Sequence, residues 1–146
     1  MMIDALTQLS SAHAITGTVG SEDYINLQHL REFAAGEPLA LVVNCHTALN
    51  GGTLAIAVQV DADNAFGSAQ TLTSRTLSSF TAGEQCVIPI PVTTLNAIDT
   101  PADTENMYLR ALFTLGANTA TVSAQIMPLS MVQNYRSYPD ALVISA

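Results

Sequence analysis

The sequence predicts an all-β fold, an antiparallel β-sandwich with jelly-roll-like wiring, and three observations carry that expectation. Apolar residues alternate with period two along several short runs, Gly- and Asn-containing turns separate the runs, and helical periodicity is confined to short stretches. Residues 53–60 (TLAIAVQV) show the alternation most clearly. Leu54, Ile56, Val58 and Val60 fall on one face and Ala55, Ala57 and Gln59 on the other, the pattern of a half-buried strand. Residues 39–44 (LALVVN) form another strand. Residues 86–90 (CVIPI) form a third, with Cys86, Ile88 and Ile90 inward; Pro89 has no N–H to give a ladder and places that strand at a sheet edge. Residues 107–115 put Met107, Leu109, Ala111, Phe113 and Leu115 on one face with Tyr108, Arg110 and Thr114 opposite, and residues 121–129 alternate through Val122, Ala124 and Ile126. Residues 24–27 and 69–76 are weaker strands; residues 27–33 and 4–9 are short helix candidates.

Turn chemistry fills the gaps. Asn50-Gly51-Gly52 supplies the positive-φ positions of a tight turn between two strands, and Gly116-Ala117-Asn118 reads as a hairpin between the last two strong strands. Gly36-Glu37-Pro38 and Ala82-Gly83-Glu84 each precede a strand. Three regions follow: an extended or weakly ordered N-terminal arm over 1–20, the sandwich over 21–129, and a tail over 130–146. The tail ends in Ala141-Leu142-Val143-Ile144-Ser145-Ala146, a β-branched apolar end that needs cover. That cover is either the chain's own sandwich or a neighbour reached by strand addition.

Composition narrows the function. The chain has 146 residues and a formal charge of −8, and only 11% of its residues are charged, against about 25% in an average globular protein. Its four basic residues are all arginine (Arg31, Arg75, Arg110, Arg136). Four scattered arginines cannot neutralise a phosphate backbone, so nucleic acid is not an expected partner. No basic amphipathic helix or long apolar run points to a membrane. The start, Met1-Met2-Ile3-Asp4, lacks the charged and apolar regions of a secretory leader, so synthesis in a cytoplasm is expected. Thr, Ser, Ala, Asn and Gln fill the non-core positions, giving a neutral, β-compatible surface suited to being covered.

No constellation of reactive side chains stands out. His13, His29 and His46 have no metal-ligand spacing, and Cys45 and His46, adjacent in a strand, point to opposite faces. Cys45 and Cys86 read as buried thiols in apolar runs; a disulfide is possible by count but disfavoured without a leader. Asp61-x-Asp63-Asn64 opens like a calcium loop. The glycine and glutamate that such a loop needs at its sixth and twelfth positions are replaced by Phe66 and Leu72, so a surface turn is expected. There is no nucleophile elbow and no phosphate-binding glycine loop. The expectation is therefore no catalytic, cofactor or metal residues, and a structural protein that binds other protein surfaces. Arg110 and Tyr108, outward on one strand, are candidate interface anchors.

The opening from Ile3 to Thr16 (IDALTQLSSAHAIT) resembles the N-terminal arm of a family of small capsid cement (decoration) proteins of tailed bacteriophages, the Bordetella-phage type. Further similar blocks are Gly36-Glu37-Pro38-Leu39, the strand pair around Asn50-Gly51-Gly52 with Asp63-Asn64-Ala65-Phe66, Ala82-Gly83-Glu84-Gln85, and Tyr108-Leu109-Arg110 on through the hairpin to Ile126. Residues 93–106 and the chain after Leu129 depart from the pattern. The resemblance implies a jelly-roll-like sandwich without catalysis or cofactor. It implies a place in the virion, on the outer capsid surface, with the major capsid protein and a second copy of the chain as partners, a homodimer rather than a trimer. The candidate interface residues are Ile3, Leu6 and Leu9 in the arm, Tyr108 and Arg110 on the sandwich, and Tyr135, Tyr138, Leu142, Val143 and Ile144 in the tail. Competing readings are a β-sandwich carbohydrate-binding or host-adhesion module, for which a chain without Trp is poorly supplied, and a low-copy tail or head-completion protein.

Overall fold

The computed structural model describes residues 8–26, 38–49, 51–90, 107–129 and 132. Among these residues seven strands run in the order β1 (Gln8–Gly20), β2 (Ile25–Asn26), β3 (Leu39–Thr47), β4 (Leu54–Asp61), β5 (Gln70–Leu77), β6 (Gln85–Ile90) and β7 (Tyr108–Pro128). All pairings are antiparallel, in the order β5-β4-β7-β3-β6, with β1 and β2 on the free side of β7. The all-β sandwich expected from the sequence is the observed architecture, nearly closed into a barrel.

β7 organises the sheet. Its first half pairs with β4 from Leu54↔Leu115 to Asp61↔Tyr108, and its second half with β3 from Leu39↔Pro128 to Thr47↔Thr121. The chain bends between the halves, so β5-β4-β7 forms one layer and β6-β3-β7 the other. β1 follows the bend. Thr16 pairs with Thr119 and Thr18 with Thr114, so Gly17 alone stands opposite residues 115–118, and its φ of 63° lets β1 turn the corner. Gly116-Ala117-Asn118 is therefore a bend within one continuous strand rather than the hairpin its composition suggests. Asn50-Gly51-Gly52 also needs correction. Gly51 and Gly52 have the expected positive φ (81° and 70°), but β3 and β4 do not pair with each other, because β7 lies between them. The turn carries the chain from one layer to the other, and Asn118 Nδ2 donates to Gly51 O at 2.6 Å to tie it to the bend.

The inward faces meet in one core. β4 alternates buried and half-buried along its whole length, and Leu54, Ile56 and Val58 are fully buried, as the period-two pattern predicts. Leu41, Val43, Cys86, Ile88, Phe113, Val122 and Ile126 come from the other strands. The outer face of the β6-β3-β7 layer is also apolar: Ala40, Val42, Val87 and Met127 form a second cluster capped by Val132 and Leu129. This explains why residues 39–43 show no polar alternation, since both faces of that strand are covered.

The stretch read as an arm outside the sandwich is, from Gln8 onward, a strand of the sheet, with Leu9 and Ile15 fully buried. Leu9 of the 4–9 helix candidate is likewise in β1, and the 27–33 candidate lies outside the described residues. Both open sides are sealed by hydrogen bonds rather than ladders. On one side β1 doubles back: Asp23 N–H donates to Leu9 O at 2.8 Å, and Ser11 N–H donates to the Glu22 carboxylate at 2.9 Å. On the other side Arg75 of β5, opposite the inward Ile56, reaches across to the carbonyl of Val87 on β6 at 3.2 Å. An inward-pointing charge on an edge strand also discourages pairing with a foreign strand. β6 is an outermost strand, as Pro89 requires.

Ile56→Ala, which empties a fully buried position, is expected to lower stability by about 2–5 kcal/mol in urea unfolding. Arg75→Met keeps the stem but removes the seam bond, and a loss of about 1–3 kcal/mol is expected in the same assay.

Candidate protein-interaction face

Because the even-numbered residues of the first half of β7 point away from the core, Tyr108, Arg110, Leu112 and Thr114 share the outer face of the β5-β4-β7 layer. Cross-strand register assembles this face in rows. Thr76, Ala55, Thr114 and Thr18 make one row, and Ser74, Ala57, Leu112 and Gly20 the next, with no charge in either. The third row brings Thr71, Gln59 and Arg110 together, and here the surface changes character.

Arg110 is held from several sides. Its Nε and Nη2 both donate to Gln59 Oε1, at 3.1 and 3.0 Å. The guanidinium carbon lies 4.4 Å from the centroid of the Phe66 ring, a cation–π contact worth about 0.5–2 kcal/mol depending on desolvation. Gly20 leaves room on the third side, since a Cβ there would stand 3.0 Å from Nη1. Partial burial lowers the guanidinium pKa while the Asp61 carboxylate opposes that pull; an arginine stays charged throughout.

Tyr24, just before β2, completes the cluster. Its ring meets Tyr108 edge-on at 5.2 Å and Phe66 at 6.3 Å, and its hydroxyl accepts from Asn64 Nδ2 at 3.3 Å. At 47% exposure it is the one large apolar side chain among the described residues that stands out in solvent. Phe66 is 8% exposed and belongs to neither hydrophobic cluster. It has a φ of 54°, a left-handed conformation that costs a non-glycine residue on the order of 1–3 kcal/mol.

Of the sequence-derived candidates, the structure brings Tyr108 and Arg110 together on this face. Leu9 is fully buried in the core and cannot be a contact. Ile3, Leu6, Tyr135, Tyr138, Leu142, Val143 and Ile144 lie outside the described residues. Sequence reading missed Tyr24, Gln59 and Phe66. Phe66 did leave a trace, as the residue standing where a calcium loop would place its glycine.

The remaining polar groups serve the fold. Asp61 accepts N–H donors from Asp63 (3.1 Å) and Ser68 (2.8 Å), and Asp63 accepts from Ala65 (3.1 Å), so both carboxylates brace their own loop. Among the described residues no group of His, Cys, Asp and Glu is placed to hold a metal ion. Ser123 Oγ lies 2.6 Å from His46 Nε2 and accepts the Ala12 N–H at 2.9 Å, clasping β1 to β7. Cys45 and Cys86 are free, buried thiols. Burial pushes both thiol pKa values up; the Glu84 carboxylate adds to the rise at Cys45, while the Arg75 guanidinium works against it at Cys86.

The class that fold and face define is a small antiparallel β protein with an aromatic–guanidinium cluster beside uncharged rows on one outer sheet face. The family model of Bbp16 matches residues 9–126, and the chain belongs to this Bordetella phage protein family. No curated protein matches it. Membership makes this a phage protein and fits a structural one associated with the virion.

A raised folded-state thiol pKa stabilises the fold fully below the ordinary thiol value of about 8.5, and that contribution is lost as pH rises through the folded values. Stability is therefore expected to decline on the alkaline side of pH 8.5. Both cysteines should react with a thiol reagent only once denaturant has opened the core.

Proposed function

We propose that this chain is a capsid cement protein. It is a non-catalytic structural component of the virion that seats on the outer capsid surface and ties neighbouring major capsid proteins together, acting as a homodimer. The observation that carries this reading is the cluster of exposed Tyr24 with half-buried Tyr108 and Arg110 on the outer face of a phage-family protein. Tyr and Arg dominate binding energy at protein interfaces because they bring large contact area and directed donors. The two uncharged rows beside the cluster can be desolvated without stripping water from an ion. A capsid offers many equivalent sites, so modest affinity per contact is multiplied when one decorating unit engages more than one capsid subunit.

Purified protein mixed with undecorated capsids of the cognate phage should co-sediment saturably, at hundreds of copies per particle, and raise capsid resistance to heat. Tyr24→Ala and Arg110→Ala should each weaken that binding by about tenfold or more, with the chain still folded. Absence of binding, with the protein found at a few copies in purified virions, would move it to the tail or a vertex.

A further inference from the structure

Phe66 is buried, yet it lies outside both hydrophobic clusters; among the described residues its ring meets Arg110 and Tyr24. Its backbone sits in a region that glycine occupies freely and phenylalanine does not. The loop that imposes this is tightly braced. Asp61 takes the N–H groups of Asp63 and Ser68 on its two oxygens, Asp63 takes that of Ala65 on its side chain, and the Phe66 N–H donates to Asp63 O at 3.0 Å. A glycine would satisfy the turn without strain, so the ring is there for what it touches. Backbone strain held by a surrounding network of this kind gathers at binding sites, where it presets a geometry before the partner arrives.

We infer that the loop from Asp61 to Ser68 is a preset positioning element of the contact face, with Phe66 as the wedge that fixes Arg110 and Tyr24 in docking geometry. This rests on the reading of the face as a capsid contact. Arg110 is otherwise a long side chain with freedom to lose on binding. Between the Phe66 ring, Gln59 and the Gly20 backbone that freedom is removed in the free protein. Tyr24, too exposed to be fixed by the core, leans on the same ring and is tethered by Asn64 of the same loop.

The test uses the full chain and undecorated capsids, with Phe66→Gly, Phe66→Ala, Phe66→Leu and Phe66→Tyr compared in thermal melting and co-sedimentation. Glycine relieves the left-handed backbone and alanine does not, so Phe66→Gly should melt about 3 °C or more above Phe66→Ala. Both should bind capsids about tenfold more weakly than the parent, the gain in melting temperature bringing no gain in binding. Phe66→Leu, which keeps apolar bulk and so tests the idea if the smaller variants do not fold, should also bind weakly. Phe66→Tyr, which keeps a ring face for the guanidinium, should restore binding. Capsid binding by the parent with undiminished binding by Phe66→Gly or Phe66→Leu overturns the positioning role and leaves the cement reading standing. A parent chain that does not bind overturns both. Melting of Phe66→Gly below Phe66→Ala removes the strain on which the inference is built.

Discussion

The constraint on which this molecule depends is the passage of a single strand, β7, through both layers of the sandwich. It is hydrogen-bonded on one side to β4 and then β3, and on the other to β2 and β1. Two separate sheets would have four edges to protect. Here one bent strand joins the layers, β1 bends with it, and the remaining openings are narrow enough to be closed by a carboxylate at Glu22 and a guanidinium at Arg75. The core forms where the two halves of β7 face each other, and the outward half of its alternation supplies Tyr108 and Arg110 to the outer face of the β5-β4-β7 layer.

That double use of alternation explains what was legible in the sequence. Every strand with a clean period of two was found with its inward residues correctly assigned, because a strand that buries one face must write that face into every second residue. Pairing was not legible. Glycine and asparagine report that the backbone turns, but a layer-to-layer crossover at residues 50–52 and a corner at residues 116–118 use the same residues as a hairpin. The arm was misread for a related reason. Residues 8–20 are short on large apolar side chains and broken by register shifts at Ala12 and Gly17, so their strand character depends on β7, more than ninety residues away.

The aromatic–guanidinium cluster was half legible on the same grounds. Tyr108 and Arg110 lie on a regular strand and their outward direction follows from the neighbours that point in. Tyr24 and Phe66 arrive from segments with no periodicity, and their meeting depends on a loop held by its own aspartates. Composition was informative where pattern was not. The scarcity of charge and absence of lysine correspond to real rows of Thr, Ser and Ala across β5, β4, β7 and β1, an outer sheet face without the charges that usually cover one.

The pairing of β1 with β7 also governs how the molecule comes into being. The strand nearest the start of the chain has no strand to pair with until the last strand has been made, and although β4 can pair with β5 and β3 with β6 earlier, nothing joins those two pairs until β7 comes between them. A ribosome emitting this chain therefore releases two separate strand pairs and an unpaired β1, which cannot close into one sheet until β7 has emerged, to about residue 128. Topologies so dominated by distant pairings fold on the slow side, in milliseconds to seconds. Over that interval the sides of β1, β3 and β4 that await β7 are open to neighbouring chains, so the protein depends on completing β7 before its unfinished sheets find each other.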